Sequence, residues 1–472
     1  MMPAFRLHFP APAAAAIALA LLSGCAMGPD YQKPDTAAVT PAAWRWQPAV
    51  PRDTAPRGEW WTVFRDADLN TLESRALAGS QTLKAGVARV LQARANARAE
   101  ATGFFPDIRL NSSAKREQTS GNLPSPVPVS IPASRINTFD AGFDLSYEID
   151  FWGKVRRSWE SARASADASE ADFHHMLLTL TGDVAMNYFS LRAADAELAA
   201  LRRTIGIREN AFRFTQMKFD AGTVGRIDLA RSRTELDTAR AELADVQRQR
   251  RETADTLALL CGEPASNFDL PERPLNLTPP AIPAGIPAHV LERRPDVAAA
   301  ERDVAAKNAQ IGVAQAAYFP AISLTGSSGR LSNETGTLFT ADSKVWTIGP
   351  SLSLPITGYA LIGANVRRVK AAREESIANY RQAVLTAVKD VETSLTQIRY
   401  RAEQATAQSE ALKSATTAAD LIRTQYESGT IGQLDLLESE RTRLQVERQS
   451  AQLSAQRLIA TVRLIKALGG QW

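Results

Sequence analysis

Hydrophobic residues recur at every seventh position along two long stretches of the chain, without a polar break in either. A sustained seven-residue repeat is typical of long helices that pack with coiled-coil geometry. If residues 154–217 form one helix, its length is about 95 Å at 1.5 Å per residue. The two sets of positions are related by a shift of 207 residues: Leu177, Val184, Leu191, Leu198, Ile205, Phe212 and Phe219 in the first, and Val384, Val391, Ile398, Ala405, Leu412, Ala419 and Tyr426 in the second.

The same shift relates a glycine-containing segment at the end of each stretch. Residues 219–229 have the sequence FDAGTVGRIDL, and residues 426–436 have the sequence YESGTIGQLDL. Such a segment predicts a turn in which Gly ends one helix in a left-handed conformation and Thr caps the next helix. Second helices are therefore expected at 227–261 and 434–468. The chain is predicted to be two copies of one structural plan.

Four shorter segments alternate between apolar and polar residues with a period of two, which is typical of β-strands with one apolar face. The clearest is 139–149; 346–356 repeats its pattern in the second copy, and 108–114 and 321–327 are weaker. A tilted transmembrane β-strand requires about 9–11 residues of this kind. The aromatic candidates for the membrane interfaces are Phe139, Tyr147 and Trp346.

The predicted strands are too few to form a barrel within one chain. Single-chain bacterial barrels have at least about eight strands, and open sheet edges are not tolerated in hydrocarbon. The chain must therefore oligomerise to close a shared barrel, or it must stay out of the membrane. Stretches without periodicity at 113–135 and 328–344 separate the strands of each pair and predict surface loops.

Composition narrows the classes of function. The 472-residue chain has 55 Lys and Arg against 51 Asp and Glu, and this small excess argues against a nucleic-acid partner. Four His and two Cys exclude a metal cluster built from those residues. The His174–His175 pair lies within a heptad helix and has no nucleophile nearby in sequence. We therefore expect no catalytic, cofactor-binding or metal site, and no enzyme activity.

The N-terminus has the features of a bacterial lipoprotein signal. The apolar stretch 11–22 is too short to span a bilayer and suits the central region of a signal peptide. It continues into Leu22-Ser23-Gly24-Cys25, a sequence in which Cys becomes the acylated first residue. We expect a signal peptide at 1–24 and a palmitate-bearing anchor on Cys25; a plain signal peptide is the alternative. Cys261 is then left unpaired, and its apolar neighbours predict a buried thiol.

Several short motifs occur together and in order along the chain. They are 28–31 (GPDY), 60–69 (WWTVFRDADL), 292–297 (ERRPDV) and 318–324 (YFPAISL). In these motifs, in the duplication and in the lipoprotein signal, the chain resembles the TolC-like outer-membrane efflux channel family, in its NodT-type multidrug lipoprotein branch. The resemblance covers essentially all of residues 22–472.

The resemblance implies a mainly α-helical homotrimer. Long antiparallel helices would form a trimeric α-barrel, and four strands per chain would contribute to a shared twelve-stranded transmembrane β-barrel. The assembly would be a passive conduit for small molecules, anchored in outer-membrane lipid and extending into the periplasm. Its partners would be a periplasmic membrane-fusion adaptor and an inner-membrane efflux pump, expected to be of the RND type.

The resemblance also gives a domain organisation. Residues 25–67 would be an acylated arm and equatorial segment, and 68–261 would be the first structural repeat. Residues 262–292 would form an equatorial linker, and 293–472 would be the second repeat.

The two turns carry the candidate functional residues. Asp435 and Glu438 lie three residues apart on one helix face, so three copies of each would form an acidic ring that attracts cations. The resemblance pairs Tyr426 with Asp228 across helices to hold this periplasmic gate shut; a first-turn Asp also simply favours the helix dipole.

Some family members have a cationic residue at the position of Ile431, so this gate is expected to be held more weakly or by other pairs. The tip residues that the resemblance assigns to adaptor docking are Gly222, Thr223, Val224, Gly225, Gly429, Thr430, Ile431 and Gly432.

Two other functions remain open at this point. A type I protein-secretion channel would use the same scaffold with a different pump. A lipid-anchored periplasmic coiled-coil scaffold would form no pore, and it would have heptads without amphipathic strands.

Overall fold

The structure is a computed structural model, and it describes residues 26–36, 39–40, 58–118, 120, 134–273, 275, 277–280 and 294–470. The expected signal peptide at 1–24 and the expected acylation site at Cys25 lie outside these residues. Within them, the helices are α1 Ala67–Gly79, α2 Gln81–Ala101, α3 Lys154–Asp220, α4 Arg226–Cys261, α5 Pro295–Ala316, α6 Tyr359–Glu427 and α7 Gln433–Ala467. The strands are β1 Asp107–Gln118, β2 Arg135–Glu148, β3 Ala321–Ser332 and β4 Lys344–Ser353.

The long helices follow the heptad prediction closely. Helix α3 has 67 residues and α6 has 69, so each is about 100 Å long at 1.5 Å per residue. Val184, Leu191 and Leu198 are fully buried, and no position of either seven-residue series is exposed. The apolar repeat therefore marks the packed side of each helix, as coiled-coil geometry requires. None of the helices in the described part of the chain combines the length and the hydropathy needed to cross a bilayer.

The chain divides into two compact units, and both long helices contribute to each. One unit consists of Met1–Pro34, Val90–Ser169 and Ala300–Asn379, and it contains the sheet. The other consists of Asp35–Arg89, Glu170–Ala299 and Tyr380–Trp472, and it contains both hairpin turns.

The sheet has four antiparallel strands in the order β1-β2-β3-β4. Residues directly opposite each other in such a sheet share a face. The register sets Leu110 against Phe143 and Gly326 against Ile348 on one face, whereas the other face sets Ser327 against Thr347. The alternation predicted from the sequence is therefore confirmed, and it continues across neighbouring strands. The outer edges of β1 and β4 have no strand partner within the described chain.

The strand bounds differ from the sequence prediction in two ways. Strands β1 and β3 continue to Gln118 and Ser332, inside the stretches expected to be loops, because polar residues there still pair across the sheet. Strand β4 stops at Ser353, before Leu354 and Ile356, which were expected to belong to it. Pro355 follows and has no backbone N–H to continue the ladder.

The second unit has an aromatic core around the start of the folded body. The rings of Trp60 and Phe64 pack edge-on with centroids 6.5 Å apart, and Phe64 packs on Phe189 at 5.0 Å. Cys261 is fully buried in the same cluster, as its apolar neighbours predicted. Burial raises the pKa of its thiol to about 11, so the thiol stays protonated and unreactive near neutral pH.

The Asp-Ala-Asp-Leu motif fixes α1 to α3 within this unit. The Asp66 carboxylate accepts hydrogen bonds from the backbone N–H groups of Asp68 and Leu69 and so caps the start of α1. It also accepts from the Tyr188 hydroxyl at 2.7 Å. The buried guanidinium of Arg192 pairs with Asp68 at 2.9 Å. Both acidic residues of the motif therefore serve packing.

Candidate functional site

Two turns of matching conformation join α3 to α4 and α6 to α7. Gly222 and Gly429 end the incoming helices with φ of +71° and +78°, a region that favours glycine. The backbone N–H of Thr223 bonds to the Lys218 carbonyl at 2.9 Å, and that of Thr430 bonds to the Gln425 carbonyl at 3.0 Å. The prediction that glycine ends both helices in a left-handed conformation is therefore confirmed.

The threonines close the helix before the turn, and the prediction that they cap the next helix is wrong. The Thr223 hydroxyl donates to the Lys218 carbonyl oxygen at 2.8 Å, and the Thr430 hydroxyl donates to the Gln425 carbonyl oxygen at 2.9 Å. Gly225 and Gly432 occupy the N-cap positions of α4 and α7. The threonines turn back because the helix ends leave carbonyl oxygens without partners. Val224 and Ile431 lie between threonine and N-cap glycine.

Asp228 serves the start of its own helix. Its carboxylate accepts a hydrogen bond from the Gly225 backbone N–H at 3.3 Å, so it satisfies a donor that the glycine N-cap leaves free. Tyr426 lies elsewhere, with its ring edge-on to Phe214 at a centroid distance of 6.1 Å. Within the described residues of this single chain, the structure does not bring Tyr426 and Asp228 into a hydrogen bond.

A cation lies at the contact between the two hairpins. The Lys218 ammonium is 4.4 Å from the Phe214 ring centroid and 5.6 Å from that of Tyr426. Burial raises the pKa of the Tyr426 hydroxyl, so the ring stays neutral. Lys218 and Phe214 were missed in the sequence, because no motif marks a cation–π contact between distant helices.

Asp435 and Glu438 are exposed on the first turns of α7, on the same helix face. The structure thus brings these two predicted gate residues together. The Glu438 carboxylate lies 3.9 Å from the Arg441 guanidinium, and both side chains are well exposed. Its charge is therefore partly balanced within the chain, whereas the charge of Asp435 has no such neighbour among the described ion pairs.

Ion pairs tie the two hairpins together beyond the turns. Glu235 on α4 bonds to Arg441 on α7 at 2.5 Å and to the buried Arg208 on α3 at 3.1 Å. One heptad further, Glu242 bonds to Arg448 at 2.9 Å. The seven-residue spacing of both partners is visible in the sequence, but which helix faces meet is not.

A separate buried carboxylate joins α6 to α7. Glu440 is almost completely buried and pairs with Arg443 at 2.7 Å and with Arg423. Among the described residues, no group of three or more His, Cys, Asp or Glu side chains is placed to hold a metal ion. The site therefore consists of turns, exposed carboxylates and ionic contacts between hairpins.

Comparison with known proteins identifies relatives over the whole chain. The family model described as outer membrane efflux protein matches residues 72–263 and 286–470. The pyoverdine export outer membrane protein OpmQ of Pseudomonas aeruginosa is 34% identical over 462 residues, covering 96% of this chain and 97% of that protein. The cation efflux system protein CusC of Escherichia coli is 29% identical, covering 97% of each.

A solved structure agrees with the fold. The CmeC outer membrane channel of Campylobacter jejuni superposes with a TM-score of 0.88 at 26% identity, covering 94% of this chain and 95% of that chain.

An amphipathic sheet with two open edges, joined to long heptad helices, defines a channel subunit that is completed by further copies. The chain belongs to the outer membrane efflux protein family. Channels of this family are trimers with a helical barrel and a β-barrel to which each chain contributes. They dock with an adaptor and an inner-membrane pump. The chain is therefore the outer-membrane channel component of a tripartite efflux system, and it extends into the periplasm. The scaffold alternative fails, because the amphipathic strands are present.

Proposed function

We propose that the chain forms a passive conduit for small solutes, without a catalytic step. The matched apolar face and the two open edges of the four-stranded sheet carry this proposal, because they fit a barrel closed by identical copies. The relatives named for pyoverdine export and cation efflux support small solutes as the class of cargo. The pump in this proposal is of the RND type, and it supplies the energy and the choice of substrate.

The two turns are the proposed docking surface for the adaptor. Each presents a short exposed loop of glycine, threonine and one apolar residue, and both have the same backbone conformation. Matching turns would give a trimer six similar sites, which suits an adaptor whose copies bind by a repeated contact. The docking residues in this proposal are Gly222, Thr223, Val224, Gly225, Gly429, Thr430, Ile431 and Gly432.

The proposed gate combines an acidic ring with a contact between hairpins. Asp435 and Glu438 form the ring, since both are exposed on one face of α7. Tyr426 holds the hairpins together through Phe214 and Lys218, which replace the cation that Ile431 does not provide. Asp228 supports the gate by fixing the start of α4.

The domain boundaries remain proposals of the same kind. Residues 68–261 and 293–472 are proposed as two structural repeats, since each contains a helix, two strands, a long helix and a closing helix in the same order. Residues 25–67 are proposed as the acylated arm and equatorial segment, and 262–292 as the linker.

Dye accumulation in cells tests the function directly. A strain that lacks this gene should retain more of a fluorescent efflux dye than its parent, and the full-length gene should restore the parent level. The control is the same strain carrying the chain with Gly336→Ala, at a loop glycine that faces open space. Unchanged dye retention together with loss of a secreted protein would replace this proposal with a type I secretion channel.

A further inference from the structure

Residues 28–31 lie in a tightly fitted contact with α3 and α5. Gly28 has φ of +95°, and an added Cβ on it would lie 2.5 Å from the Gly312 Cα. A Cβ on Gly312 would lie 2.4 Å from the Met27 carbonyl oxygen. The Pro29 carbonyl oxygen accepts a hydrogen bond from the Asn308 amide at 2.8 Å. The contact therefore needs glycine on both sides.

Arg157 binds this segment, here called the arm (Ala26–Tyr31), from α3. Its side chain is 8% exposed, its Nε donates to the Met27 carbonyl oxygen at 3.2 Å, and its Nη2 bonds to Asp30 at 2.7 Å. The Tyr31 hydroxyl donates to Glu301 on α5 at 3.1 Å. Each residue of the Gly-Pro-Asp-Tyr motif thus has its own contact. Such a set of contacts is far more specific than an unstructured tether requires.

The arm is bound next to the ends of the strands. The Met27 backbone N–H donates to the Trp152 carbonyl oxygen at 3.0 Å, four residues after β2 ends. The Trp152 ring stacks on Phe319 at 4.5 Å and donates its indole N–H to the Pro320 carbonyl oxygen, just before β3. Phe105, just before β1, is 72% exposed. Aromatic side chains at strand ends are typical of a membrane–water interface.

We propose that the arm is a clamp that sets the depth of the lipid anchor relative to the sheet. Position 25 precedes Met27 by two residues, so its reach from the clamp is about 7 Å at most. Acyl chains on Cys25 would then enter the lipid leaflet at the level of the strand ends. Seating of the sheet in the membrane depends on this clamp even when Cys25 is acylated. The proposal rests on the acylation of Cys25 expected from the sequence.

Gly312→Ala in the full-length chain tests the clamp. The added methyl group displaces the Met27 carbonyl, while Ala favours the interior of α5 by roughly 1 kcal/mol over Gly. A loss of assembly therefore cannot come from a weaker helix. Gly206→Ala is the matched control, because Gly206 lies within α3 with open space around its Cα.

Three readouts separate the steps: palmitate incorporation, trypsin cleavage after Lys33 in detergent, and the amount of heat-modifiable oligomer in outer-membrane fractions. We expect Gly312→Ala to incorporate palmitate like the parent, to be cut about fivefold faster or more, and to give several-fold less oligomer. Gly206→Ala should match the parent in all three.

A released arm with parental amounts of oligomer would overturn the clamp, and so would unchanged trypsin cleavage. Loss of palmitate in Gly312→Ala alone would also overturn it, by placing the contact upstream of modification. A parent chain without palmitate would instead refute the lipid anchor, and dye efflux by that parent would leave the proposed function intact.

Discussion

Glu73 carries a carboxyl group that the fold buries completely. Neither of its oxygens has a hydrogen-bond partner, and burial raises its pKa from 4.5 to about 9. The folded chain therefore holds a proton that the unfolded chain releases above pH 4.5, so this residue costs stability as pH rises toward 9. Two neighbouring turns of α1 provide the packing around it, and an uncharged residue of similar shape would suit the site better.

Glu73→Gln should stabilise the protein at pH 7 by up to about 3 kcal/mol, because Gln carries no proton to retain. The gain should shrink toward pH 5 and grow toward pH 8.5. Thermal inactivation midpoints across this range measure it, with Glu410→Gln on the exposed surface of α6 as the control. A gain that is independent of pH, or a loss at pH 7, would show that Glu73 is ionised and paired in the folded state.

Residue roles were predictable from the sequence only where one residue type has one main use. The buried thiol of Cys261 and the left-handed glycines at 222 and 429 followed from their neighbours. The direction of Thr223 did not, because a threonine hydroxyl can bond to a helix on either side of a turn. Likewise, nothing in the sequence distinguishes Glu73 from the many acidic residues on exposed helix faces.

At the scale of helices and strands, apolar periodicity determines the main features. The seven-residue repeat identified α3 and α6, and the two-residue alternation identified the four strands. Contacts between helices were less accessible. The pairs Glu235–Arg441 and Glu242–Arg448 depend on which faces of α4 and α7 meet, and this is decided by packing across the two hairpins.

The first turns of α7 carry a prediction about the gate. Asp435→Asn should reduce cation selectivity in planar bilayers more than Glu438→Gln, because Arg441 already balances part of the charge on Glu438. We expect the double variant to lose most of the selectivity, since three copies of each carboxylate are removed from a trimer. Glu410→Gln, another exposed helical carboxylate, should leave conductance and selectivity unchanged.

Unaltered selectivity in the double variant would remove the acidic ring from the account. A larger effect of Glu438→Gln than of Asp435→Asn would instead show that the pairing with Arg441 is absent in the assembled channel.

At the scale of the whole molecule, the central claim concerns closure of the sheet. Four strands with matched apolar faces leave two open edges in the chain as described, and hydrocarbon does not tolerate such edges. Counting strands in the sequence already required further copies or no membrane at all. The family decides between these alternatives, because its channels are trimers.

The most direct measurement is the mass of the full-length protein purified in detergent, followed by conductance of the same sample in a planar bilayer. The account predicts three copies per particle, with defined channel openings from the particle and none after heating separates the chains. A single chain that conducts, or three copies that never conduct, would contradict it.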